Sequence, residues 1–243
     1  MPAPSIVFES AGVSVPDEDA QRRGLPDAAR DLLHPLTLTL TERRIAVIGA
    51  NGSGKSTLLK LINGLARPST GRVLVDGACT VRDTGRVRRT VGFLFTDPLA
   101  QLVMPVVVED VELSLRARVR DRAERRAHAL EVLARLGIER LAERSVYDLS
   151  GGERQLAALA TVLAAGQRIL VADEPTTLLD LRNDALLRRT LDGLEQQVVY
   201  ATHDLAFAAE ADRALVVEDG RIVFDGAASD AVDAYRHLAL EGV

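Results

Sequence analysis

Arg44-Ile-Ala-Val-Ile48, Gly49-Ala-Asn-Gly-Ser-Gly-Lys-Ser-Thr57 and Leu58-Leu-Lys-Leu-Ile-Asn63 follow one another without a break. An apolar run, a glycine-rich turn and a helical apolar pattern predict a buried strand, a loop and the first turns of a helix. The middle piece fits G-x-x-x-x-G-K-[ST], and its flanks are the strand and helix which that pattern needs. Glycines let the N–H groups of Gly49, Ala50, Asn51, Gly52, Ser53 and Gly54 turn inward around a polyphosphate. The helix adds its unpaired N–H groups and the positive end of its dipole. Lys55 is expected to reach the β- and γ-phosphates, and Ser56, followed by Thr57, to place a hydroxyl on Mg²⁺. A turn that merely happens to be glycine-rich is the plainer reading, and both flanks weigh against it. The chain is expected to bind a nucleoside triphosphate.

Composition narrows the rest. The 243 residues fit one large domain with an inserted lobe, and 47% apolar with 27% charged residues is ordinary for a soluble globular chain. Aromatics are 3% and Trp is absent, which leaves little for a base-stacking platform, and a net charge of −5 opposes binding to a phosphate backbone. No nucleic-acid partner is expected. Cys79, the single cysteine, excludes an internal disulfide and fits a reducing cytosol. Met1-Pro-Ala-Pro-Ser5 carries no basic or apolar leader, and the longest small-apolar run, Leu156 to Ala165, falls short of a membrane span. A membrane role must therefore come through a partner.

Along the chain, Ile6-Val-Phe8, then Val13-Ser-Val15, reads as an edge strand or hairpin arm, and Pro16 to His34 as a surface loop with a short helix at Asp27–Leu33. Leu36-Thr-Leu-Thr-Leu40 alternates as a strand does. Val73-Leu-Val75 ends in the hairpin dipeptide Asp76-Gly77. Val91-Gly-Phe-Leu-Phe95 is a short apolar strand, and Thr96 to Gln101 a loop. From Glu109 to Leu141 the period turns helical, with Leu130, Leu133 and Leu136 on one face and a solvated charged face opposite. Asp184 to Leu194, Leu205 to Ala211 and Ala228 to Leu240 read as helices, Val198–Ala201 as a strand, and Leu215–Phe224 as a hairpin. The expectation is a single α/β domain: a core of 1–95 and 166–243 with a mixed sheet and flanking helices, and an inserted helical lobe at 96–165.

Two further stretches carry chemistry. Asp173-Glu174 ends the apolar run Ile169–Ala172, where an open α/β sheet faces its ligand. Asp173 suits a Mg²⁺ shared with water and phosphate, and Glu174 could deprotonate an attacking water. Adjacent acids alone would be an ordinary solvated loop, and coupling to the phosphate loop overrides that reading. In Leu149-Ser-Gly-Gly-Glu-Arg-Gln155, Ser150 can cap a helix while Gly151 and Gly152 leave its first N–H groups uncovered. That makes a second anion site, which one subunit has no evident need of.

With these pieces in order, the chain resembles the nucleotide-binding subunit of an ABC transporter, nearly end to end. Gly49–Thr57 resembles its Walker A loop, Leu149–Gln155 its signature, Ile169–Glu174 its Walker B strand, Leu178-Leu-Asp180 its D-loop and Thr202-His203-Asp204 its switch histidine. The resemblance implies a P-loop ATPase that hydrolyses ATP with Mg²⁺. It implies Lys55 on phosphate, Ser56 and Asp173 on the metal, Glu174 as general base and His203 at the γ-phosphate or attacking water. It further implies a head-to-tail pair, of identical or paralogous subunits, in which Ser150, Gly151, Gly152 and Asp180 meet the ATP of the other copy. Such a subunit lies on the cytoplasmic face of the cell membrane.

Two departures stand out. The family usually has Gln after the Val91–Phe95 strand, on Mg²⁺, where this chain has Thr96, a hydroxyl of shorter reach. It also usually places an aromatic near Val15 to stack on adenine. Slow hydrolysis is expected unless a partner remodels this region. Val91 to Leu102, continuing to Val108-Glu-Asp-Val111, is similar to the energy-coupling-factor (ECF) type, vitamin and transition-metal importers that also contain a transmembrane coupling subunit and a substrate-binding membrane subunit. There Gln101 would grip the coupling subunit, although Leu99-Ala100 replace the usual acidic pair before it. Compact length and Glu174-Pro-Thr-Thr-Leu-Leu-Asp180 lean toward the biotin or cobalt/nickel branch, biotin favoured. The alternative is a soluble ABC ATPase for DNA maintenance or cofactor assembly, which long coiled coils and basic stripes would favour and this chain lacks. A kinase or GTPase-like switch is opposed by Ser150-Gly-Gly-Glu153.

Overall fold

The computed structural model describes residues 4–17, 29–177 and 179–241. The chain falls into two units, the first made of 1–88 and 199–243 and the second of 89–198. The expected lobe, 96–165, lies within the second.

The first unit opens with β1 (Ile6–Pro16), β2 (Ala29–Leu40), β3 (Arg44–Ile48), helix α1 (Lys55–Asn63), β4 (Thr70–Val75), β5 (Ala78–Cys79) and most of α2 (Thr84–Thr90). β1 pairs antiparallel with β2 from Ile6↔Leu40 to Pro16↔Ala29, and with β4 from Ile6↔Val75 to Gly12↔Thr70. Strand order is β2-β1-β4-β5, so β1 is interior to its sheet and not an edge. Residues 27 and 28 of the expected helix lie outside the described residues, and from Ala29 onward the segment is strand, which corrects that expectation. Pairing decides it: Leu33 is fully buried opposite Val13, a position that the helical reading could not supply. Gly71 is required where β4 starts, because a Cβ there would lie 2.2 Å from the carbonyls of Glu9 and Ser10.

The second unit holds β6 (Val91–Leu94), α3 (Val107–Leu115), α4 (Arg122–Arg135), α5 (Gly151–Ala164), β7 (Ile169–Asp173), α6 (Leu181–Gly193) and the start of β8 (Gln197–Ala201). The long helical stretch is two helices, broken between Leu115 and Asp121, whose carboxylate caps α4 by accepting from Glu124 N–H. β6 and β7 are parallel, Val91 opposite Ile169 and Leu94 opposite Ala172. Every residue of both strands is buried, as a strand covered on two faces requires.

Returning to the first unit, β8 ends beside β3, where Thr202 N–H donates to Val47 O at 3.1 Å. The chain closes through α7 (Leu205–Ala208), β9 (Arg213–Glu218), β10 (Arg221–Gly226) and α8 (Ala228–Glu241). β9 runs parallel to β3 and antiparallel to β10. Its first residue, Arg213, bonds Asp225 and Glu42 together with the Thr39 carbonyl, tying both sheets of this unit. Those carboxylates hold the Arg213 guanidinium far above its ordinary pKa, Asp225 contributing most. No helix among the described residues is long and apolar enough to cross a membrane.

Candidate functional site

In the first unit the glycine loop leaves the end of β3, all five residues of which are buried, and feeds directly into α1. Gly49 lies against β9: with φ +150°, a Cβ would sit 2.1 Å from the Val217 carbonyl, so only glycine allows the loop to pass. Gly52 and Gly54 also have positive φ, and Gly220 N–H donates to Ser53 O at 2.8 Å, which anchors the loop to the β9–β10 turn.

The loop's polar groups are poised for an anion. Helix geometry gives the first N–H groups of α1 no intrahelical acceptor, and Gly54 at the cap has no side chain to offer. Lys55 is 6% exposed, and its ammonium donates to the carbonyls of Gly49 (2.8 Å) and Ala50 (2.9 Å), which keeps the charge inside the loop. Ser53 Oγ is buried without a hydrogen-bond partner. An orphaned hydroxyl, a buried cation and an uncapped helix start fit a polyphosphate. The hollow of about 190 Å³ beside Asn51 and Ser53 is lined also by Glu218, Asp219 and Tyr235, and its carboxylates make it a poor seat for phosphate.

His203, exposed after buried Thr202, starts the short turn into α7. Asp204 caps that helix, accepting from Ala206 and Phe207 N–H. Val15, where the family has an aromatic, is half-buried near the end of β1.

In the second unit Asp173 is 7% exposed at the end of β7, and Glu174 follows with φ +50°. That left-handed conformation costs a non-glycine residue about 1 kcal/mol. Glu174 Oε2 accepts from Thr177 Oγ1 at 3.3 Å. Thr96, half-buried just past β6, donates its hydroxyl to the Asp173 carbonyl at 2.8 Å. Among the described residues no group of three His, Cys, Asp or Glu could hold a metal. Within this unit the ligands on offer are the two oxygens of the buried Asp173 carboxylate. These hard oxygens suit Mg²⁺, which keeps water and phosphate as its remaining ligands.

Gln101 turns inward. Its amide donates to Ala158 O (3.1 Å) and Thr161 Oγ1 (3.3 Å) of α5 and accepts from Phe95 N–H (3.3 Å). Ser150 caps α5 in a complete capping box: its Oγ accepts from Glu153 N–H, and the Glu153 carboxylate accepts from Ser150 N–H. The Ser150 N–H, aided by the Ser150 hydroxyl and the charges of Arg140 and Arg144, holds the Glu153 carboxyl below the usual carboxylate range. Asp180 caps α6, accepting from Asn183 N–H at 2.8 Å and Asn183 Nδ2 at 3.1 Å. Leu178 lies outside the described residues.

Two contributors escaped the sequence reading. Gln155, 2% exposed, donates to the Phe95 carbonyl at 3.3 Å. Asn183 packs on Gly152 so closely that a Cβ there would meet Asn183 Nδ2 at 2.5 Å. The first lies in the quoted Leu149–Gln155 stretch, and the second sits three residues after Asp180, the spacing of a helix cap.

The family model described as ABC transporter matches residues 33–177. The biotin transport ATP-binding protein BioM of Rhizobium etli is 46% identical over 235 residues, covering 97% of this chain and 99% of that protein. Among solved structures, the ATP-binding cassette MJ0796, a dimer in a post-hydrolysis state bound to ADP and Pi, superposes with a TM-score of 0.79 at 28% identity, over 92% of this chain and 98% of that one. CbiO1 from Clostridium perfringens, part of the ABC transporter complex cbiONQ, gives 0.78 at 27% identity, over 97% and 93%.

Proposed function

The chain belongs to the ABC transporter ATP-binding family, and from that premise we propose that it is the motor subunit of an ECF-type importer for biotin. It works as a head-to-tail pair that closes on Mg²⁺-ATP and reopens after hydrolysis. The observation that carries the substrate is its 46% identity, over nearly the whole length of both chains, to a protein named for biotin transport. Likeness to a subunit of the ABC transporter complex cbiONQ supports the transporter class, and the resemblance in sequence leaves cobalt or nickel as the competing cargo.

In this reading the N–H groups of Gly49 to Thr57 and the Lys55 ammonium hold the β- and γ-phosphates. Mg²⁺, held by Ser56 and Asp173, would neutralise charge on the phosphate oxygens. Glu174 accepts the proton of a water whose oxygen forms the new bond to the γ-phosphorus, and the bond to the ADP oxygen breaks. His203 orients that water or the γ-phosphate. Ser150, Gly151, Gly152 and Asp180 serve the ATP of the other copy. Catalysis is positioning and electrostatic stabilisation, as phosphoryl transfer demands. Exposed Leu99 and Val103, on the loop that Gln101 braces, offer an apolar surface to a transmembrane coupling subunit at the cytoplasmic face of the membrane. A separate membrane subunit would bind the cargo.

Disrupting the gene in its source cell and measuring uptake of labelled biotin, cobalt and nickel tests this. Biotin uptake should collapse while metal uptake persists. Unchanged biotin uptake would remove the proposed cargo.

A further inference from the structure

β6 and β7 lie in register up to Leu94 opposite Ala172, and beyond that pair a side chain continues the ladder: Thr96 Oγ1 donates to Asp173 O at 2.8 Å. That carbonyl belongs to the planar peptide joining Asp173 to Glu174, so the bond fixes the plane from which Glu174 departs. Glu174 departs at φ +50°, a conformation that persists in a non-glycine residue only where its surroundings enforce it.

Thr96 is itself held. Its neighbour Phe95 is clamped from both sides of its backbone, the N–H by Gln101 Oε1 and the carbonyl by Gln155 Nε2, each at 3.3 Å. Gln155 belongs to α5, and Gln101 is bonded to it through Ala158 and Thr161. A continuous strap of hydrogen bonds and short chain segments thus runs from α5 through Phe95 and Thr96 to the peptide before Glu174.

We propose that Thr96 is a positioning residue whose hydroxyl holds the Glu174 backbone in its left-handed turn and so places the carboxylate for proton abstraction. This rests on the reading of Glu174 as general base. A threonine supplies what the task needs: a donor at the end of a short, β-branched side chain with little rotamer freedom. The methyl group contributes only packing.

The test uses the full chain with Mg²⁺-ATP and measures kcat, KM for ATP and half-saturation by Mg²⁺. The variants are Thr96→Val, Thr96→Ser, Thr96→Ala, Glu174→Gln and the double Thr96→Val with Glu174→Gln. Thr96→Val should lower kcat roughly tenfold or more, the scale of a misplaced catalytic group. KM and the Mg²⁺ requirement should stay within about twofold, because ground-state binding is untouched. Thr96→Ser should recover most of the rate and Thr96→Ala should not. Both lack the methyl, so a packing loss common to the two cannot produce that gap. On top of Glu174→Gln, Thr96→Val should cost nothing further, since the two act as a unit. Equal rates for Ser and Ala would overturn the proposal, as would a loss confined to KM or to the Mg²⁺ requirement. An undiminished effect of Thr96→Val in the Glu174→Gln background would do the same. Normal turnover of Glu174→Gln by itself would remove the base reading, and the strap proposal with it. An inactive Glu174→Gln with equal Ser and Ala rates would remove the strap alone.

Discussion

Asp110 shows how a single buried acid sets the surroundings of the candidate site. It is 4% exposed, and one of its oxygens, Oδ1, accepts from both Val103 N–H (2.9 Å) and Met104 N–H (2.7 Å), pinning the loop that follows Gln101. Burial raises its pKa above the usual aspartate value even though both N–H groups pull the other way. A raised carboxyl pKa means that the folded chain holds its proton more tightly than the unfolded one. The charged form therefore penalises folding, and the penalty grows as pH rises from the unfolded value of 3.8 through the folded one. Asp110→Asn keeps an oxygen acceptor and removes the charge. It should match or exceed the unaltered chain in stability at neutral pH, and that advantage should shrink as pH falls through this window, as denaturant melts at several pH values would show. Asp110→Ala leaves two N–H groups unmet and should cost about 1–3 kcal/mol at any pH. At Lys55 the effect falls on binding. Lys55→Met removes the cation that the loop encloses, and equilibrium binding of a fluorescent ATP analogue should weaken at least tenfold, with the melting temperature little changed.

At the scale of elements, α5 carries the most. Its capping box satisfies N–H groups at the helix start, so Ser150→Ala should cost about 1 kcal/mol in a denaturant melt. Gly152→Ala tests the packing between helices: its Cβ would overlap Asn183, whose amide is bonded to Asp180, so the variant should disturb the start of α6. Heightened amide exchange at 180–184 in Gly152→Ala, absent from Ser150→Ala, is the expected signature. These elements also mark what was legible beforehand. The loop after β3, the β7 acids and the capped start of α5 could be read because each is a local pattern with a local physical cause: glycine freedom, strand burial, a capping side chain. Leu36–Leu40 was legible as a strand by its alternation, but the first half of β2, from Ala29 to His34, was missed because its strand character comes from pairing with β1, which the punctuation of Pro26 and Pro35 concealed. The inward turn of Gln101 and the strap through Thr96 join residues some sixty to eighty positions apart, and no local pattern announces such bonds.

For the molecule as a whole, the proposed head-to-tail pairing is what would bring the two phosphate-facing turns to one triphosphate. In the proposed reading the glycine loop of the first unit and the Ser150-Gly-Gly turn of the second both serve phosphate, and one chain's triphosphate engages one loop. The likeness to a cassette solved as a dimer with ADP and Pi supports that pairing. The most direct measurement is the solution mass of Glu174→Gln by light scattering, with and without Mg²⁺-ATP. Exchange between copies predicts that the 26.2 kDa chain doubles in mass when ATP is present, and that Gly151→Asp in the same background abolishes the doubling while ATP still binds. A mass fixed at that of one chain, with ATP demonstrably bound, would contradict it.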